Sequence, residues 1–125
     1  MILIGKGLFA TTVVIAIGHL LVACSASKDD PGSVAGRYVW GHEVHTFAPC
    51  ESDDEYWVRG APDVVGALRD YHQANATELY QAIFVEIDGA LSDEVADGFA
   101  ASYDGIFVIN EVLSMSTEAP SICAP

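Results

Sequence analysis

The chain has 125 residues, of which 51% are hydrophobic, and 18 acidic residues against 5 basic ones give a formal net charge of -13. Such a charge leaves nucleic-acid binding without an electrostatic driving force. The hydrophobic content excludes a chain that is disordered along its whole length. The length suits one small domain that buries a single core.

Residues 1–23 have the pattern of a secretory signal peptide. Lys6 supplies a positive charge, a long apolar stretch follows, and no acidic residue occurs before the run LVAC at residues 21–24. This run resembles the lipobox of bacterial lipoproteins, which implies cleavage just before Cys24 and attachment of lipid to its thiol. One acyl chain anchors a protein only marginally, whereas two anchor it stably. The alternative is an ordinary signal peptide that is cut elsewhere.

Residues 24–33 are expected to form the acylated cysteine and a polar, flexible tether. The remaining domain, residues 34–125, has no apolar run long enough to span a membrane. By analogy with enterobacterial lipoproteins, Ser25 in the position after the cysteine implies sorting to the outer membrane. We therefore expect a lipid-anchored protein of the bacterial cell envelope that faces the periplasm.

Two further cysteines, Cys50 and Cys123, are predicted to form a disulfide bond. An exported domain folds in an oxidising compartment, where an even number of thiols favours pairing. The bond would close a loop of about 73 residues, worth about 4 kcal/mol in the loop-entropy description. Two free thiols are the alternative, and the sequence contains no C-x-x-C motif of a catalytic thiol pair.

The domain is predicted to contain five short strands and one helix. Runs of β-branched and aromatic residues predict strands at residues 37–40, 43–47, 56–59, 81–87 and 106–113. Asp88 and Gly89 are expected to end the fourth strand in a turn. Pro62 suits the first turn of a helix. An apolar stripe at helical spacing then continues to about Ala74, through Val64, Val65, Leu68, Tyr71 and His72.

The order β-β-β-α-β-β predicts a mainly β domain, a five-stranded OB-like Greek-key barrel with its helix between strands three and four. The helix would close one end of the barrel. A lipocalin-like barrel needs eight strands and is the weaker alternative, together with a generic α+β sandwich.

Several segments resemble the C-terminal OB domain of the NlpE family of copper-homeostasis and adhesion lipoproteins. They are GRY at residues 36–38, FAPC at 47–50, YWV at 56–58, the pair Leu68 and Tyr71, and FVEIDG at 84–89. The resemblance covers residues 36–113 and implies an OB fold, lipid anchoring and a role in envelope-stress or surface sensing. The thiol chemistry of that family belongs to a C-x-x-C motif in a separate N-terminal domain. Since this sequence has no such motif, copper handling does not carry over residue by residue.

Three histidines suggest a metal site. His42 and His45 follow Gly41, where a bend would let their imidazoles converge, and His72 on the helix would supply a third imidazole for copper or zinc. The spacing is not the metalloprotease H-E-x-x-H. The alternative is that His45 is an ordinary strand residue and His42 lies in a turn, so no cofactor is required.

Aromatic residues are dense in the first three strands, which form the usual ligand face of an OB fold. The candidate binding face consists of Tyr38, Trp40, Tyr56, Trp57 and Arg59. The alternative is that these side chains fill the barrel. The many acidic residues match no EF-hand spacing and are interpreted as a solvated surface.

No nucleophile elbow, P-loop or dinucleotide motif is present in the sequence, and we expect no enzymatic activity. The favoured function is non-catalytic binding of an envelope protein or a basic peptide surface. Copper or zinc binding is one alternative. Inhibition of an envelope-directed hydrolase, through a protruding acidic loop at residues 90–103, is the other.

Overall fold

The computed structural model describes residues 32–124. The predicted leader, Cys24 and residues 25–31 of the tether lie outside these residues. Two short 3-10 helices, Gly98–Ser102 and Ser121–Cys123, accompany five strands and one helix. The longer elements are β1 (Ser33–Gly41), β2 (Val44–Pro49), β3 (Tyr56–Gly60), α1 (Pro62–Asn75), β4 (Ile83–Ser92) and β5 (Ile106–Ser116).

The strands pair in the cyclic order β1-β2-β3-β5-β4, and β4 returns to β1. All pairs are antiparallel except β3 with β5, which run parallel. Since β3 and β5 are separated in sequence by α1 and β4, their parallel pairing requires a crossover. The mainly β, OB-like order with the helix between β3 and β4 is thus confirmed.

The inward-facing side chains of the five strands and one face of α1 form a single core. Each large apolar side chain that is fully buried contributes about 1.5–3 kcal/mol relative to exposure. The core cluster consists of Tyr38, Phe47, Val58, Leu68, Ile83, Val85, Ile87, Phe107 and Ile109.

Helix α1 covers the core with the stripe predicted from its spacing. Leu68 and His72 are buried, and the other predicted stripe residues pack partly buried against the core cluster. Pro62 occupies the first turn, and the Asn75 side chain donates to the carbonyl of Tyr71 at the end of the helix. Among residues 32–124, no helix is long and apolar enough to cross a membrane.

The predicted turn at Asp88 and Gly89 is wrong, because β4 continues through it to Ser92. The pairing with β5 shifts register between Asp88 and Gly89, which marks a bulge that bends the strand. A Cβ at Gly89 would overlap the carbonyl oxygen of Val108. The glycine therefore allows the two backbones to approach closely. Ser33, the last residue of the predicted tether, pairs with Asp88 in the sheet.

Candidate functional site

The candidate site begins with a pocket that is lined by residues of β2, β3 and α1. The pocket has a volume of about 280 Å³, and its lining includes His45, Trp57 and Arg59. Val65 of α1 also lines it. Two members of the predicted binding face, Trp57 and Arg59, therefore share one concave surface.

The segment between β4 and β5 lies against this pocket at two points. Glu94 Oε2 lies 3.7 Å from Arg59 Nε, and the ring of Tyr103 packs against Trp57 with centroids 5.6 Å apart. The end of β4 and this segment expose three apolar side chains: Leu91 in β4 at 58%, and Val95 and Phe99 in the segment at 89% and 57%. Three acidic residues stand among them: Asp93, Glu94 and Asp97. We call these six residues the loop surface.

Tyr38 does not belong to the candidate binding face, and this part of the prediction is wrong. Its side chain is fully buried, because the alternation of β1 directs it into the barrel.

Tyr56 is half-buried, packs on Phe107 and donates its hydroxyl to Asp54 Oδ2 at 3.1 Å. Burial and the hydrogen bond to Asp54 raise the pKa of the Tyr56 hydroxyl.

Tyr38 lies at the centre of a cluster of aromatic and imidazole rings. Its ring centroid is 5.5 Å from that of His45 and 6.1 Å from that of His72, with both contacts edge-on. Trp57 also packs edge-on against His45, with centroids 6.2 Å apart. Trp40 packs against His72, with centroids 6.5 Å apart. The cluster therefore connects the two tryptophans through the barrel interior.

Two polar atoms in this cluster are buried and have no hydrogen-bond partner among residues 32–124. They are the Tyr38 hydroxyl oxygen and His45 Nε2. Burial and, to a smaller extent, the charge of Arg69 together lower the pKa of His45 to about 4. Burial raises the pKa of Tyr38, with a smaller opposing effect of Arg69. Both groups are therefore neutral at pH 7.

The three histidines of the predicted metal site have different environments. His42 has an 88% exposed side chain next to Glu43, whereas His72 is buried and its Nε2 lies 2.6 Å from the carbonyl oxygen of Gln81. Since a carbonyl only accepts, Nε2 of His72 carries a proton and donates. In the described part of the chain, no three His, Cys, Asp or Glu side chains are grouped to hold a metal ion. Copper or zinc binding stays a prediction.

A second pocket, of about 260 Å³, opens where the β1–β2 turn meets the end of α1. We call it the helix-end pocket. Trp40 of the predicted binding face lines this pocket, together with His42 and His72. The full lining is Trp40, Gly41, His42, His72, Gln73, Ala76, Glu78, Leu79 and Tyr80.

Tyr80 has a strained backbone at the wall of the helix-end pocket. Its φ is 59°, a left-handed conformation that costs a bulky residue about 1–3 kcal/mol. Its ring lies against Gly41, where an added Cβ would come within 2.5 Å of the ring carbon Cε1. Its hydroxyl donates to the carbonyl of His42 at 3.4 Å. The surrounding structure thus holds the ring in place despite the strain.

The sequence did not indicate the three apolar residues of the loop surface, or the pair Leu79 and Tyr80, as candidate binding residues. All five are exposed large hydrophobic side chains in or next to loops. In the sequence these residues lie outside the predicted strands and helix, in short runs without a regular period. Such a residue follows no strand or helix period, so its position on the surface cannot be predicted from spacing.

Cys50 and Cys123 are joined in the structure, with Cα atoms 4.7 Å apart. This is the pairing that the sequence predicts. The bond attaches the C-terminal 3-10 helix to the start of the loop after β2. The backbone N–H of Cys50 also donates to the carbonyl of Ala35 in β1. The lipid attachment predicted at Cys24 lies outside the described residues.

Comparisons with protein-family models, with curated proteins and with solved structures found no match to this chain. The resemblance to the NlpE family therefore stays a prediction based on the segments quoted above. The candidate site rests on its own geometry.

Proposed function

We propose that this protein is a lipid-anchored lipoprotein of the bacterial cell envelope whose OB-like domain binds another protein without catalysing a reaction. The signal-peptide pattern of residues 1–23 and the lipobox-like run ending at Cys24 support the anchoring. By resemblance to the NlpE family, the binding serves envelope-stress or surface sensing.

The observation that carries the binding proposal is the loop surface. Val95 alone is 89% exposed, with Leu91 and Phe99 more than half exposed nearby in the chain. Burial of water-exposed apolar side chains against a partner lowers the free energy of the complex. Contiguous exposed apolar patches are typical of interaction sites. Trp57 and Tyr103, which pack together beside the loop surface, add aromatic area of the kind enriched at interfaces.

The charges of the loop surface define the partner. Asp93, Glu94 and Asp97 alternate in sequence with the apolar residues, and Glu94 lies within ion-pair distance of Arg59. A partner that covers this surface must bring basic residues around an apolar centre. The net charge of -13 would speed its approach at low ionic strength.

The test is site-specific photocrosslinking in intact cells. A photoreactive amino acid replaces Phe99 in the loop surface, and in a matched strain it replaces Ala67, which is exposed on α1. We expect one discrete crosslinked product from position 99 and none from position 67. The product should disappear when Asp93, Glu94 and Asp97 are all replaced by their amides. Equal products from both positions, or a product indifferent to the amides, would refute the binding proposal.

The anchoring is tested separately with Cys24→Ser. We expect the natural chain to sediment with membranes and the variant to lose the membrane association of a lipoprotein. The matched change Ser25→Ala leaves the thiol intact and should keep the protein in the membrane fraction. Labelling of the Cys24→Ser chain with a radioactive fatty acid would contradict the assignment.

A further inference from the structure

We infer that the helix-end pocket is a second recognition site, which takes the arginine side chain of a bound polypeptide. The inference rests on the proposed protein-binding function, because it supplies one chemical feature of the partner. It concerns a part of the surface separate from the loop surface, so the two are tested by different experiments.

The size of the helix-end pocket suits a single long side chain. Its volume of about 260 Å³ lies below the range of about 300–1,000 Å³ that is typical of pockets for drug-sized molecules. Trp40 and Tyr80 both line it, and Leu79 is exposed at the same site. Aromatic faces of this kind attract cations, and arginine more often than lysine because its planar guanidinium also stacks.

The charge of the lining also selects a cation. Glu78 provides a carboxylate, and among residues 32–124 no Lys or Arg lines the pocket. A guanidinium can hold a carboxylate through two parallel hydrogen bonds while its face rests on an aromatic ring. An anionic ligand would be repelled both by Glu78 and by the negative charge of the whole chain.

Hydrogen bonds hold the walls of the pocket before any ligand arrives. The Gln81 side-chain oxygen accepts from the backbone N–H of Thr77 at 2.8 Å and from that of Glu78 at 3.2 Å. The backbone carbonyl of the same residue accepts from His72. Tyr80 is fixed in its left-handed conformation against Gly41. A site that is already ordered loses little entropy on binding.

The experiment measures binding of a blocked tripeptide with a central arginine to the full chain by NMR and by tryptophan fluorescence. The matched ligand carries citrulline, which has nearly the same shape without the charge. We expect the arginine peptide to shift the signals of Trp40 and Tyr80 at millimolar concentrations. The citrulline peptide should bind about three- to tenfold more weakly, the loss of one cation–aromatic contact. In the Trp57→Phe variant, Trp40 is the remaining tryptophan and reports the same event.

Two matched variants test the role of the carboxylate. Glu78→Gln should weaken arginine-peptide binding several-fold, whereas Glu111→Gln removes an equal charge from an exposed position on β5 and should not. Both residues are exposed, and equal unfolding midpoints would show that both variants fold. Equal binding of the two peptides, equal binding by the two variants, or shifts confined to other residues would each overturn the inference. Any of these results leaves crosslinking at position 99 as an independent measure of the proposed function.

Discussion

The edge of the Tyr38 ring meets the imidazole of His45, with centroids 5.5 Å apart, and each residue buries a polar atom that no group in residues 32–124 satisfies. Unpaired buried polar groups destabilise a fold, because they lose their hydrogen bonds to water and gain none. This pair is consequently a place where small chemical changes have measurable effects on stability.

Protonation of His45 should make the domain less stable in mild acid. Its folded pKa of about 4 lies below the unfolded value of 6.5. Between these values the unfolded chain binds a proton that the folded chain does not. Stability is therefore complete above pH 6.5 and is lost as the pH falls towards 4. Urea unfolding at pH 7 and at pH 4.5 measures this loss.

The contribution of His45 is isolated by two phenylalanine variants. His45→Phe should reduce the fall in unfolding free energy between pH 7 and pH 4.5, because the titrating group is gone. His42→Phe removes a histidine whose side chain is 88% exposed, and it should keep the natural pH dependence. If the His45→Phe chain lost as much stability in acid as the natural chain, burial of His45 would not be the cause.

Removal of the Tyr38 hydroxyl should leave the domain equally stable or stabilise it. Tyr38→Phe deletes a buried oxygen that has no partner in the described residues, and the gain in unfolding free energy is up to about 1 kcal/mol. Tyr56→Phe is the matched control, since the Tyr56 hydroxyl donates to Asp54. Its removal should lower the unfolding free energy by about 0.5–1 kcal/mol. A loss above 1 kcal/mol for Tyr38→Phe would indicate that the hydroxyl is satisfied.

The element order of this fold follows from local sequence, but the detailed surface does not. The helix stripe from Val64 to His72 repeats at the helical period and predicts the face that packs on the core. Strand alternation alone does not determine which face of β1 is inside, because Tyr38 and Val39 are both apolar enough for the core. Closure of the barrel decides this, through pairings distant in sequence.

The two candidate binding surfaces illustrate the same limit. Trp57 and Arg59 lie in a strand, and the usual ligand face of an OB fold places them at the site. Phe99 and Tyr80 lie outside the regular strands and α1, where no period indicates burial or exposure. Their positions depend on tertiary contacts such as that between Tyr80 and Gly41.

Two glycine substitutions should have opposite effects on stability. Gly89→Ala places a Cβ against the Val108 carbonyl and within 2.7 Å of the Phe107 ring, and should destabilise the domain by at least about 2 kcal/mol. Gly66→Ala in α1 meets no atom closer than 4.0 Å and should stabilise the helix by about 0.5–1 kcal/mol. Thermal unfolding of both variants at pH 7 measures the two shifts. Similar melting temperatures for both would contradict the close packing at the β4 bulge.

The disulfide between Cys50 and Cys123 should contribute about 4 kcal/mol to the unfolding free energy, since it closes a loop spanning 73 residues. The bond restricts the unfolded chain, and it also fixes the segment after β5 against the loop after β2. The double variant Cys50→Ser with Cys123→Ser should therefore unfold at a markedly lower urea concentration than the natural chain.

Reduction of the natural chain provides the comparison that separates the bond from the side chains. A thiol reductant should lower the unfolding midpoint of the natural chain to near that of the double serine variant, and it should leave the variant unchanged. A midpoint of the natural chain that does not respond to reductant, with both thiols shown by alkylation to be free, would mean that the fold does not depend on the bond. In that case, packing of the last strand against β4 alone would hold the end of the barrel.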